Sequence, residues 1–366
     1  MQLSIKVKEE QTEWIKSVTM DMKVEKLSED EIALYDRQIR LWGMTAQANM
    51  RSAKVLLINL GAIGSEITKS IVLSGIGHLT ILDGHMVTEE DLGSQFFIGS
   101  EDVGQWKIDA TKERIQDLNP RIELNFDKQD LQEKDEEFFQ QFDLVVATEM
   151  QIDEAIKINT LTRKLNIPLY VAGSNGLFAY VFIDLIEFIS EDEKLQSVRP
   201  TTVGPISSNR SIIEVTTRKD EEDEKKTYER IKTKNCYRPL NEVLSTATLK
   251  EKMTQRQLKR VTSILPLTLS LLQYGLNQKG KAISFEQMKR DAAVWCENLG
   301  VPATVVKDDY VQQFIKQKGI EFAPVAAIIG GAVAQDVINI LGKRLSPLNN
   351  FIVFDGITLD MPLFEF

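Results

Sequence analysis

The chain has 366 residues, 43% of them hydrophobic and 27% charged, a globular composition with apolar surface enough for a large core. Lys and Arg number 44 against 54 Asp and Glu, a formal net charge of −10, which argues against a nucleic-acid binder held by backbone phosphates and against a basic membrane-surface protein. Two cysteines, Cys236 and Cys296, and two histidines, His78 and His85, exclude a disulfide scaffold, a CxxC zinc ribbon and a His-rich metal centre, and fit a reduced compartment.

Residues 1–27 are polar and mixed and read as a flexible extension. Their start, MQLSIKVKEEQTEW, has no apolar run after a basic segment, so no secretory signal is expected. Ser28 followed by Glu31 has capping-box spacing, and a helix over 29–41 is expected, carrying YDRQIRLWG at 35–43. KVLLINL at 54–60 is an apolar run of β-formers that reads as a buried parallel strand, followed by a glycine loop and a helix to Leu73. Strands follow at 79–83, 122–126, 142–148 and 167–173, with helices at 103–120 and 153–165 between them. This alternation predicts an α/β fold, a Rossmann-like, doubly wound and mostly parallel sheet.

Composition shifts from about Ser190, where a mainly helical insertion is expected. RKDEEDEKK at 218–226 reads as a solvated loop or hairpin tip, and 240–320 as amphipathic helices. A small-residue-rich helix follows over 322–343, with Gly330 and Gly331 in its interior, where close packing should offset about 1 kcal/mol per glycine. NNFIVFDG at 349–356 closes the chain as a strand. The division is therefore 1–27 extension, 28–189 first part of the nucleotide-type domain, 190–320 insertion, and 321–366 return to that domain. No run approaches ~18 uninterrupted apolar residues, so no transmembrane helix is expected.

The candidate site is the loop Asn59-Leu60-Gly61-Ala62-Ile63-Gly64, a GxGxxG with its first glycine replaced by asparagine. Strand, glycine loop and helix together make a phosphate site, because backbone N–H groups and the helix N-terminus face the anion. Asp83 stands 19 residues beyond Gly64, the spacing of a ribose carboxylate. The same pattern also describes a Rossmann-like unit whose glycines only make the turn. A nicotinamide dehydrogenase would need a placed acid/base, and neither His78 nor His85 is placed for that.

YDRQIRLWG at 35–43, the strand–loop–helix at 54–73, LDGHMVTEEDLGSQF at 82–96, VGQWK at 103–107, APVAAIIGGAVAQD at 323–336 and NNFIVFDG at 349–356 resemble the ThiF-type adenylating domains of ubiquitin-like-modifier activating enzymes. The order of motifs is specific, and the likeness runs from about residue 28 to 356, weakest across 190–320. Length and late motifs are most similar to the smaller subunits of heterodimeric SUMO-activating enzymes.

The resemblance implies a degenerate site. Asp83 matches the family's ribose carboxylate and Lys107 its ATP lysine, so Asn59, Gly61, Gly64, Asp83 and Lys107 form the expected remnant of a nucleotide pocket. Where the active pattern reads Asn-x-Asn-Arg-Gln-Phe, this chain has Asp91-Leu92-Gly93-Ser94-Gln95-Phe96, with Ser94 for the arginine. Where an Asp-Asn pair holds Mg²⁺, it has Met150 and Gln151, with Glu149 and Asp153 as neighbouring carboxylates; a further arginine matches Ala155. A thioether is a poor ligand for hard Mg²⁺, so no metal site is expected here. Neither cysteine is expected to form a modifier thioester.

What the resemblance implies instead is a regulatory, non-catalytic subunit. It would pair with a larger catalytic subunit, meet SUMO through the complex, and leave ATP and Mg²⁺ mainly to the partner, with no nucleic acid or membrane involved. Arg37 is the residue expected to act, reaching the partner's ATP phosphates in trans, with Arg40 on nearly the same helix face and Trp42 as an interface anchor. A surface ion pair to Asp36 or Glu31 is the competing reading of Arg37. The alternatives are the equivalent neddylation-type subunit and a self-sufficient adenylating homodimer. Nuclear residence, with some in the cytoplasm, is expected from the family.

Overall fold

The computed structural model describes residues 26–220, 223, 226–277, 282–343 and 345–366. The extension at 1–25, and positions 221–222 and 224–225 of the charged block, lie outside the described residues.

Three short helices open the fold: α1 (Glu29–Leu34), α2 (Asp36–Trp42) and α3 (Met44–Ser52). The Ser28–Glu31 capping box is present in both directions. The expected single helix is broken at Tyr35, whose backbone (φ −96°, ψ 16°) leaves helical geometry as its buried ring packs inward and its hydroxyl accepts from Asn119 Nδ2 at 2.7 Å. Gly43, at φ 89°, separates α2 from α3.

The nucleotide-type layer follows as β1 (Lys54–Ile58), α4 (Ala62–Leu73), β2 (His78–Leu82), α5 (Lys107–Leu118), β3 (Glu123–Asp127), α6 (Glu136–Gln140), β4 (Leu144–Thr148), α7 (Ile152–Lys164), β5 (Leu169–Asn175) and β6 (Phe178–Asp184). The expected helix over 103–120 thus begins only at Lys107, and α4 begins at Ala62 directly on the glycine loop. β6 was not expected. It pairs antiparallel with β5 through the two-residue loop Gly176-Leu177, with Gly176 at φ 64°.

The insertion departs from the sequence reading. Instead of a loop before the helices there is a four-stranded antiparallel sheet of β7 (Glu187–Leu195), β8 (Gly204–Pro205), β9 (Arg210–Lys219) and β10 (Thr227–Cys236). Its strands alternate charged and β-branched residues, as in RSIIEVTTRK and TYERIKTKNC, because the sheet is largely open to water and most of β9 is exposed. Of the charged block, Arg218 and Lys219 end β9, Lys219 lies opposite Thr227, and Asp220 N–H donates to the Lys226 carbonyl at 2.9 Å. Helices then follow as expected: α8 (Leu240–Thr246), α9 (Gln255–Leu258), α10 (Ile264–Asn277), α11 (Phe285–Leu299) and α12 (Asp308–Lys316).

The chain returns through α13 (Ala323–Leu341), β11 (Phe351–Asp355) and β12 (Leu363–Phe364). The main sheet has eight strands in the order β12-β11-β6-β5-β4-β1-β2-β3. β3 through β5 are parallel, and β6, β11 and β12 extend the β5 edge antiparallel. Alternate residues serve two cores: Val55 and Leu57 face α4 and α13, while Leu56 and Ile58 face α7 and the insertion helices. Both faces are covered, which is why the central strands read as unbroken apolar runs.

α13 has 19 residues and is apolar enough to cross a membrane by length and composition; in this fold it is a core helix packed on α4, with Val325, Ile329, Val333 and Val337 buried. Its two glycines differ. A Cβ on Gly330 would lie 2.5 Å from Glu66 Cβ of α4, so the helices touch there through bare backbone, whereas Gly331 has nothing within 4 Å. Close packing offsets the first glycine only.

Candidate functional site

The glycine loop lies at the carboxyl ends of β1, β2 and β4, where open α/β sheets bind ligands. Asn59 takes a left-handed conformation (φ 66°) that a glycine would adopt freely and asparagine tolerates. Its Nδ2 donates to the Thr148 carbonyl at 2.9 Å, and Thr148 Oγ1 donates to the Asn59 carbonyl at 2.7 Å, so β1 and β4 are laced together at this point. Gly64 is required by close approach: a Cβ there would lie 2.5 Å from the Asn59 carbonyl oxygen. Asn59, Gly61, Gly64 and Asp83 lie together at this end of the sheet.

The polar side chains of the remnant, Asn59, Asp83 and Lys107, are already engaged within the chain. Asp83 is buried; one oxygen accepts from Leu60 N–H at 2.7 Å, the other from His85 N–H at 2.7 Å and the His85 ring at 2.8 Å. That bond to Asp83 holds the His85 imidazole above its ordinary pKa. Lys107 Nζ lies 2.7 Å from Asp91 Oδ1, both largely buried. Burial opposes the charge on Asp91, but the Lys107 ammonium and the Thr88 N–H and hydroxyl outweigh it and lower its pKa. Lys107 is thus neutralised before any ligand arrives.

Sequence reasoning missed Glu321. Its Oε2 accepts from Ala62 N–H, the first residue of α4, at 3.0 Å, and from Ser94 Oγ at 3.3 Å. A carboxylate therefore rests on the helix N-terminus that the glycine loop presents. Beside it, Glu149 (φ 50°) accepts from Ser174 N–H at 2.9 Å and Ser174 Oγ at 2.6 Å. Burial, reinforced by Glu321, pushes its pKa up to about 7. These groups line a cavity of about 780 Å³ whose wall also includes Glu90, Asp91, Met150 and Lys318.

This donor set does not fit Mg²⁺-ATP. Met150 is buried against Ile152, Gln151 is the exposed N-cap of α7, and Ala155 is fully buried inside α7. Glu149 is turned to Ser174, and among the described residues no three His, Cys, Asp or Glu converge on a common point. Acidic groups outnumber basic ones around the cavity, so a triphosphate would meet like charge.

The thiols are equally unsuited to acyl transfer. Burial raises both: Cys296 is fully buried and pushed up to about 11, and the more exposed Cys236 is also raised. A nucleophilic cysteine needs the opposite shift.

Arg37 lies elsewhere. α2 is fastened at the amino ends of β1–β3, the end of the sheet away from the glycine loop: Tyr35 bonds Asn119, Trp42 Nε1 donates to Gln47 Oε1 at 2.9 Å, and Gln47 Nε2 donates to the Ser74 carbonyl at 2.9 Å. Trp42 is half-buried against the chain's own core, an internal anchor. Arg37 is exposed, and among the described residues its side chain makes no hydrogen bond or ion pair. Asp36 is taken by Arg40 at 3.0 Å and Glu31 by Arg51 at 2.7 Å, so neither surface pair proposed for Arg37 forms.

A mostly parallel sheet carrying a glycine loop, an acidic residue after β2 and a return helix is a Rossmann-like, nucleotide-type architecture. The model of the ThiF family matches residues 35–366, and the chain belongs to that family. It is 34% identical over 339 residues to SUMO-activating enzyme subunit 1 of Homo sapiens, covering 90% of this chain and 93% of that protein. The DNA damage tolerance protein rad31 of Schizosaccharomyces pombe is 31% identical over 331 residues, covering 90% and 95%. Among solved structures, E. coli MccB shares the fold, with a TM-score of 0.50 over 91% of this chain and 71% of that chain at 17% identity.

Proposed function

We propose that this chain is the non-catalytic subunit of a heterodimeric SUMO-activating enzyme, in which it supports adenylation of the SUMO C-terminus at the ATP site of a larger partner and supplies Arg37 to that site. The observation that carries the reading is the division within the chain: its own phosphate cradle is filled by Glu321, while Arg37 stands unpaired at the other end of the sheet. The similarity to SUMO-activating enzyme subunit 1 over nine-tenths of the chain supports the same reading. A permanently charged, forked guanidinium on a short anchored helix is suited to stabilise phosphate charge on a neighbouring subunit. ATP and Mg²⁺ then belong to the partner, and nuclear residence goes with the pathway.

The test is SUMO-dependent ATP–pyrophosphate exchange, run with the chain alone and with a larger SUMO-activating subunit. Exchange in the mixture only is expected. Exchange by the chain alone would overturn the non-catalytic reading, and exchange only with a neddylation-type partner would reassign the modifier.

A further inference from the structure

The nucleotide cradle of this chain already holds an anion of its own. We propose that Glu321 is an internal ligand at the phosphate position of the glycine loop, and that its carboxylate is what bars phosphates from this pocket.

Three independent contacts place it there. The Ala62 N–H at the start of the 12-residue α4 donates to Oε2, and Ser94 Oγ donates to the same oxygen. The first N–H groups of a helix lack intrahelical partners and carry the positive end of its dipole, so they bind phosphate and carboxylate alike. Gly61 supplies the third contact. Its backbone is extended (φ −82°, ψ −164°), a conformation open to any residue, so its torsions do not demand glycine. A Cβ at Gly61 would collide with Glu321 Oε1, and the next nearest group is Glu149 Cγ at 3.5 Å. The loop glycine keeps the close approach that a phosphate needs, and Glu321 uses it.

Glu321 is also held on its own side. Ile320 O accepts from Gly176 N–H at 2.8 Å, and Gln317 Oε1 accepts from Leu177 N–H at 2.6 Å, so the strap ahead of α13 is pinned to the β5–β6 hairpin. Ser94, in place of a long cation, leaves room for the carboxylate and gives it a hydroxyl donor. Glu149 stands beside it with its proton partly retained at neutral pH, which limits the repulsion between the two acids. This inference concerns the chain alone and holds or fails whatever partner it has.

The experiment is calorimetric titration of the full chain with inorganic pyrophosphate, without Mg²⁺, for wild type, Glu321→Ala and Glu321→Gln. Pyrophosphate is expected to bind Glu321→Ala at least about tenfold more tightly than wild type, with Glu321→Gln intermediate. A folded Glu321→Ala chain that gains no affinity overturns the proposal, as does wild type binding equally well. A thermal-melting cycle reads the contact itself: Gly61→Ala is expected to lower the melting temperature of wild type, by displacing the Glu321 carboxylate from Ala62 N–H and Ser94 Oγ, and to lower that of Glu321→Ala less. An equal loss in both backgrounds overturns it.

Discussion

The Glu31 carboxylate sits 2.7 Å from the Arg51 guanidinium and accepts the Ser28 N–H at 2.9 Å, and both contacts turn it away from Arg37. Arg40 does the same to Asp36 through an ion pair one helical turn apart. The carboxylates flanking Arg37 are spoken for, and of the three described arginines on α2 and α3 it is Arg37 that is left without a partner.

Replacing Arg37 by alanine should therefore leave the isolated chain's stability within about 0.5 kcal/mol, as for an exposed side chain without partners. In a heterodimer with the larger subunit, adenylate formation should fall by at least about tenfold while assembly persists. Exchange kinetics together with size-exclusion chromatography checks both; wild-type rates would refute the contribution in trans.

Breaking the cap should cost stability instead. Ser28→Ala is expected to destabilise by about 1 kcal/mol, measured by urea denaturation. Burial works against the charged form of Glu31, but the Ser28 N–H and Arg51 outweigh it and lower its pKa. The folded state thus gains from ionised Glu31 above its ordinary pKa and loses that gain as pH falls through the lowered value. The difference between wild type and Glu31→Gln should shrink on acidification.

The glycine pair of α13 offers opposite signs from adjacent positions. Gly330→Ala drives a Cβ to 2.5 Å from Glu66 Cβ and should destabilise by about 1–3 kcal/mol. Gly331→Ala meets nothing within 4 Å and should stabilise the isolated chain by up to about 1 kcal/mol through helix propensity. Thermal melts of the two variants decide it.

Glu149 predicts an alkaline weakness. Its pKa is raised from 4.5 to about 7, so the folded state binds its proton more tightly than the unfolded state. Stability from this group is complete below its ordinary pKa and declines as pH rises through about 7. Glu149→Gln should flatten that decline, gaining roughly 2–3 kcal/mol at pH 8 relative to the wild-type trend. Denaturation midpoints from pH 5 to 8 provide the measurement.

How much of this was written locally varies with the element. β1 and β4 are legible because strands buried on both faces are apolar throughout. β6 is signalled more quietly, by Gly176-Leu177 ahead of an apolar stretch, with glycine at the first loop position at φ 64°. β9 and β10 were hidden by their charge, since a wet sheet face fills with Lys, Arg and Glu. The break at Tyr35 depends on a partner, Asn119, that only the fold supplies. Asn59, Gly61, Gly64 and Asp83 were found by spacing, because loop, helix and next strand are contiguous in the chain. Glu321 was not, for its contact with Ala62 spans 259 residues and belongs to no local pattern.

The same five-residue strands that carry the glycine loop at one end carry the anchorage of α2 at the other. At about 3.3 Å per residue the two ends stand roughly 17 Å apart, with a dry layer of Val, Leu and Ile between them. Among the described residues neither end shares a hydrogen bond with the other, so a substitution that silences one is expected to leave the geometry of the other intact. A molecule built this way separates the loss of a pocket from the loss of a protruding arginine: the first can be complete while the second is presented unchanged to whatever surface docks against it.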